Sequence, residues 1–72
     1  MEYCAEYSII IEGCVWGVEH ICFDADSDDE AIDTALELGE EHSSKKQEYF
    51  LEFVYDEEGN ELDLSRIYDK KD

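Results

Sequence analysis

The stretch from Asp24 to Glu41, DADSDDEAIDTALELGEE, leaves this chain few ways to fold. Its apolar positions, Ala31, Ile32, Ala35, Leu36 and Leu38, recur at a helical rather than a strand period. At ~100° per residue they fall in an arc of roughly 160°, with Gly39 among them. Ser27 is placed to cap the helix, and Glu30 follows three residues later, as a capping box requires. Asp26 is a second cap candidate. Asp28, Asp29 and Glu30 load the first turn, where the helix dipole favours negative charge. The opposite arc carries Asp29, Glu30, Asp33, Glu37, Glu40 and Glu41 and no basic residue. The spacing predicts one helix over roughly 28–42, with one face for a core and the other uniformly anionic.

The segments around that helix read as strands. Residues 2–12 alternate, with Tyr3, Ala5, Tyr7, Ile9 and Ile11 on one side and Cys4, Glu6, Ser8, Ile10 and Glu12 on the other. Gly13 and Gly17 bracket a turn, GCVWG, and Val18 to Ala25 forms a second strand antiparallel to the first. After the helix, His42 to Lys46 forms the exit, with Lys45 and Lys46 near the negative end of the dipole. Residues 47–55, QEYFLEFVY, make a third strand whose Tyr49, Leu51, Phe53 and Tyr55 face the helix and whose Glu48, Phe50, Glu52 and Val54 face away. A turn at Asp56 to Asn60 places Gly59 where a positive φ is needed. Residues 61–68, ELDLSRIY, form a fourth strand with Leu62 and Leu64 inward, and Asp69 to Asp72 is a frayed end. The expected fold is a single α+β domain over residues 1–72, ββαββ, a four-stranded antiparallel sheet with one amphipathic helix packed on one face. One helix covers one sheet face, so the outer face is expected to carry Ile10, Phe50 and Val54 among Glu6, Glu48 and Glu52.

The charge is extreme: 22 acidic residues against 5 basic ones give a net charge of −17 over 72 residues. Self-repulsion at this density opposes the compact state, yet 43% hydrophobic residues supply a core. Direct binding to nucleic acid or to an anionic membrane is unfavourable, and a basic protein surface is the natural partner. The start, MEYCAEYS, lacks the basic and apolar regions of a signal peptide. The longest aliphatic run, Ile9 to Ile11, is too short to span a bilayer. The three cysteines have no CxxC spacing and read as reduced thiols in a cytoplasmic protein.

Catalytic and metal signatures are weak. Asp24-x-Asp26-x-Asp28 begins like a calcium loop, but Asp29 stands where its glycine belongs and Ala35 where its glutamate belongs. His20-x-Cys22 lacks structural-zinc spacing. Ser8, Ser27, Ser43, Ser44 and Ser65 have no nucleophile signature around them. The chain reads as a non-enzyme without metal or cofactor. Trp16, placed at the hairpin turn, is either an exposed binding anchor or a cap folded over one end of the core.

The acidic helix face is the main functional clue. Asp29, Asp33, Glu37 and Glu41 stand four residues apart, about 6 Å of rise per step, close to the roughly 6–7 Å between phosphates along one nucleic-acid strand. Like charges at that spacing cost an isolated helix a few tenths of a kcal/mol per pair, and a basic partner would offset the repulsion. The other reading is a solvated face. In size, charge and ββαββ order the chain resembles the small acidic phage-encoded anti-CRISPR proteins of the DNA-mimic kind. The residues that carry the resemblance are the face from Asp29 to Glu41 and the flanking Asp24, Asp26 and Asp28.

The resemblance implies an inhibitor acting in the bacterial host cytoplasm; separately, the mixed apolar and acidic outer sheet face makes a weak homodimer, through that face or through an edge strand, the secondary expectation beside a monomer. The inhibitor's acidic surface would bind the basic DNA-recruiting surface of a CRISPR surveillance complex and block target DNA, with no cofactor. The expected binding set is Asp24, Asp26, Asp28, Asp29, Glu30, Asp33, Glu37, Glu40 and Glu41. The same electrostatics also fit an immunity protein or antitoxin that neutralises a basic nuclease-type toxin.

Overall fold

The computed structural model describes residues 1–68, except the side chains of Arg66 and Tyr68. Strand β1 (Glu2–Ile11) and strand β2 (Cys14–Asp24) form a hairpin, helix α1 (Asp28–His42) crosses over, strand β3 (Glu48–Tyr55) returns, and a short helix α2 (Ser65–Tyr68) follows. The sheet is antiparallel in the order β2-β1-β3, so the first strand of the chain is the central one. Helix α1 lies mainly over β3 and leaves β2 least covered.

The alternation in β1 produces the core. Tyr3, Ala5 and Tyr7 are fully buried beneath the helix, where they meet Ala31, Ile32 and Ala35 from α1 and Leu51 and Val54 from β3. Two tyrosine hydroxyls tie the layers together. Tyr3 donates to Asp28 Oδ1 at 2.9 Å, and Tyr7 donates to the Ala35 carbonyl at 2.7 Å. Small residues on the inner face of α1 allow this approach: a Cβ on Gly39 would lie only 3.1 Å from Tyr7 Cε2.

The architecture is α+β as expected, but the sheet has three strands among the described residues, not four. The backbone of residues 61–68 pairs with the sheet, among the described residues, through a bridge between Tyr55 and Glu61 and a hydrogen bond from the Leu62 amide to the Val54 carbonyl. The Asp63 carboxylate then accepts the Ser65 amide at 2.9 Å, turns the chain, and starts α2. Leu62 and Leu64 are buried at the sheet margin, so two apolar positions two residues apart gave the period of a strand without its ladder. The expectation for Asp69 to Asp72 lies outside the described residues.

Three local corrections follow. The hairpin turn consists of Glu12 and Gly13 alone, both with positive φ (54° and 80°), which matches the twist of a tight two-residue hairpin. Strand β2 therefore begins at Cys14, and Trp16 lies within it, in a bulge where pairing steps from Ile9–Gly17 to Ile10–Val15. A second bulge in β3, between the pairs Glu6–Phe53 and Tyr7–Leu51, inserts Glu52 and reverses the faces beyond it. Val54 becomes fully buried, while Phe53 and Tyr55 pass to the outer face and stack 5.9 Å apart. Third, Cys4 and Cys22 are not reduced thiols. The hairpin register sets them directly opposite, with Cα atoms 3.9 Å apart, and they form a disulfide, leaving Cys14 as an exposed free thiol.

Candidate functional site: the acidic face of helix α1

The site is built from the helix cap upward. Ser27 takes an extended backbone conformation, and its hydroxyl accepts the Glu30 amide at 3.2 Å. The Glu30 carboxylate reaches back to the Asp26 amide at 3.2 Å, one residue earlier than a standard capping box. Asp28 is held by Tyr3. The far end is closed by Ser43: its amide donates to the Gly39 carbonyl, its hydroxyl donates to the same oxygen at 2.8 Å, and that hydroxyl accepts the Tyr49 amide. Fixed at both ends and clamped by Tyr7 in the middle, α1 presents its outer face as a rigid surface.

The nine expected binding residues are all exposed, but they do not play one role. Asp29, Asp33, Glu37, Glu40 and Glu41 form the continuous row along α1. Asp28 and Glu30 are held in the first turn by the hydrogen bonds that build it. Asp24 closes β2, and Asp26 sits in the loop that follows. From Asp29 to Glu41 the row spans about 18 Å at 1.5 Å rise per residue. The helix carries no Lys or Arg, and His42 is the only basic residue in its last turn. Among the described residues, only Glu6, Glu19, Glu52 and Asp56 of the carboxylates are half-buried, and every other one is exposed.

The half-buried carboxylates have local work. Glu6 faces His20 Nε2 at 3.1 Å, Glu52 accepts from the Ser8 hydroxyl at 2.8 Å, and Glu19 accepts from the Tyr49 hydroxyl at 2.6 Å. Asp56 accepts the amides of Glu58 and Asn60, and these bonds hold its carboxyl below the usual carboxylate range. Burial, reinforced by the Asp28 carboxylate, pushes the Tyr3 hydroxyl up to about 12. Among the described residues, no three His, Cys, Asp or Glu side chains come together as a metal-holding group. A shallow groove of about 270 Å³ between α1 and β3 has an apolar floor of Ala35, Leu36, Tyr49 and Leu51, with Glu40 and Glu48 also in its lining. Among the described residues, no helix is long and apolar enough to cross a membrane.

Sequence reasoning missed a second surface. Val15, Trp16 and Val18 are 65, 70 and 53% exposed, and all three lie on the uncovered edge strand β2. The signal was present in the run Gly13 to Val18, the longest stretch of the β1–β2 hairpin that follows its turn without a charge. Trp16 does not cap the core. Taken together, the fold and its surface define a small acidic α+β domain with one anionic helix face and one apolar strand edge. No family model, no curated protein and no solved structure matches this chain.

Proposed function

We propose that this chain is an anti-CRISPR-like inhibitor: the acidic face of α1 mimics DNA and occupies the basic groove in which a CRISPR surveillance complex receives its target. The observation that supports this reading is the continuous exposed row Asp29, Asp33, Glu37, Glu40, Glu41 on a helix without Lys or Arg, held rigid by caps and tyrosine clamps. A groove lined with Lys and Arg binds phosphates through charge neutralisation and release of counterions. Fixed carboxylates at similar spacing satisfy the same groove. Single surface ion pairs contribute only ~0–1 kcal/mol, so affinity comes from many acting together, and long-range attraction accelerates encounter at low salt. No bond is made or broken, and no cofactor is needed.

The proposed place of action is the bacterial cytoplasm. There the Cys4–Cys22 pair would meet a reducing thiol pool, and the β1–β2 ladder and the buried tyrosines are the contacts left to hold the register.

The test begins with a tagged pull-down from a CRISPR-bearing host, at low and moderate salt, followed by a gel-shift assay of the recovered complex with its target DNA. The chain is expected to displace target DNA, and the doubly reversed variant Asp33→Lys, Glu37→Lys is expected to lose inhibition while keeping its far-ultraviolet spectrum. Glu37→Lys with Glu41→Lys serves as a second variant that leaves the N-terminal half of the row unaltered. Full inhibition by either folded variant would remove the helix face from the mechanism. Recovery of a single basic toxin in place of a CRISPR effector would replace this reading by the immunity or antitoxin one.

A further inference from the structure

We propose that the edge of β2 is a self-association surface: two copies join antiparallel, β2 to β2, and make one continuous six-stranded sheet. Three observations carry this. Strand β2 is an edge strand of 11 residues with no pairing partner on its outer side among the described residues. Unpaired strand edges are templates for another chain. Three of the exposed large apolar side chains, Val15, Trp16 and Val18, lie on this strand within four positions. Lastly, residues Gly13 to Val18 carry no charge in a chain whose net charge is −17. Nearly every other exposed surface bears carboxylates, so two copies meet here with the least repulsion. A basic partner, by contrast, finds no carboxylate on this run and is drawn to the helix face. The proposal is therefore independent of the function assigned to α1.

The register follows from charge and backbone geometry. The close Cα spacing of Cys4 and Cys22 marks a non-hydrogen-bonded pair of the β1–β2 ladder. Cys22, and by alternation His20 and Val18, therefore direct their backbone N–H and C=O groups away from β1, toward the open edge. A two-fold axis beside Val18 sets Val18 against its own copy, Trp16 beside the partner copy's His20, and Glu19 opposite Gly17. An axis beside Glu19 would oppose two carboxylates, which is destabilising. A two-fold contact of this kind closes on itself and does not propagate into fibres.

The test is sedimentation equilibrium of the full chain between about 0.02 M and about 0.3 M salt, where screening of like charge changes most. The expected result is a monomer–dimer equilibrium whose dissociation constant falls by about tenfold as salt rises, because two anionic bodies repel less when screened. Association with a basic partner has the opposite sign. Val18→Glu is expected to give a monomer with an unchanged circular dichroism spectrum, and Phe50→Ala, on the far strand, is expected to dimerise as the parent does. A nitroxide on the native free thiol of Cys14 adds a geometric readout: Trp16 is the extra residue of the bulge, so Val18 to Cys14 advances three ladder positions, and three on either side of the axis at ~3.4 Å each place the two labels about 20 Å apart along the strands. A monomer at every salt and concentration, a dimer that weakens with salt, a dimer that survives Val18→Glu, or a label distance far from that value would each overturn the proposal.

Discussion

Replacing Gly39 by alanine sets two opposing effects against each other. Glycine in a helix interior is less favourable than alanine by about 1 kcal/mol, so propensity alone makes Gly39→Ala stabilising. The structure reverses the sign. An ideal Cβ would lie 3.1 Å from Tyr7 Cε2, 3.5 Å from Tyr7 Cδ2 and 3.4 Å from the Tyr49 carbonyl oxygen. The Tyr7 ring has no room to retreat: it is fully buried, and its hydroxyl is fixed to the Ala35 carbonyl at 2.7 Å. Inserting a methyl group into such packing typically costs ~1–3 kcal/mol, which outweighs the propensity gain by about 1 kcal/mol. For a domain of this size that is a fall in melting temperature of roughly 4–8 °C. Thermal unfolding followed by circular dichroism reads it directly. Tyr7→Leu shortens the facing side chain, and in that background Gly39→Ala should stabilise, so a double-mutant cycle isolates the coupling. A single Gly39→Ala variant that melts higher than the parent would refute the claim that the tyrosine clamp holds the helix rigidly in place.

Three further outcomes are expected. Reducing the disulfide, or replacing both cysteines by alanine, should lower the urea midpoint: a cross-link between residues 18 apart restricts the unfolded chain by about 3 kcal/mol in the entropy model, and an unchanged midpoint would contradict this. At high pH the domain should lose stability. The Tyr3 hydroxyl is raised to about 12, and those of Tyr49 and Tyr55 are raised as well, so the unfolded chain releases these protons first; the contribution is intact below pH 10, is lost as pH rises toward 12, and Tyr3→Phe should flatten that limb in a pH series of unfolding curves. Raising salt from low to moderate should raise the melting temperature, since most carboxylates are exposed and screening relieves their repulsion; a flat response would mean that they are compensated within the fold.

The helix was legible down to its ends because several independent signals agree there. Ser27 and Glu30 name the start, and the apolar arc from Ala31 to Gly39 names the buried face. Strand identity in β1 was equally plain from alternation. What escaped was pairing. Nothing within QEYFLEFVY announces that Glu52 will be the extra residue of a bulge; that depends on Tyr7 and Leu51 meeting under the helix, a contact between positions 44 apart. One bulge then exchanged the faces of Phe53, Val54 and Tyr55. The Cys4–Cys22 pair was hidden for the same reason, since a turn two residues long rather than five sets the register that brings them together. The fourth strand failed because Asp63 bonds locally to Ser65 and diverts the chain before a ladder can grow. The acidic row, by contrast, needed no tertiary information: helical period and residue type placed it.

The sheet order has a consequence for synthesis. Strand β1 leaves the ribosome before both of its neighbours, and among the described residues it is the one strand paired on both sides. Its hairpin partner follows at once, but β3 ends at Tyr55, so until most of the chain has emerged one full edge of the central strand, and the apolar face of α1 above it, stay exposed. Nascent chains of this protein therefore cannot complete their core piecemeal. Folding awaits a late, long-range closure, and a translational pause or a truncation before Tyr55 would release a hairpin and a helix with nothing to hold them together.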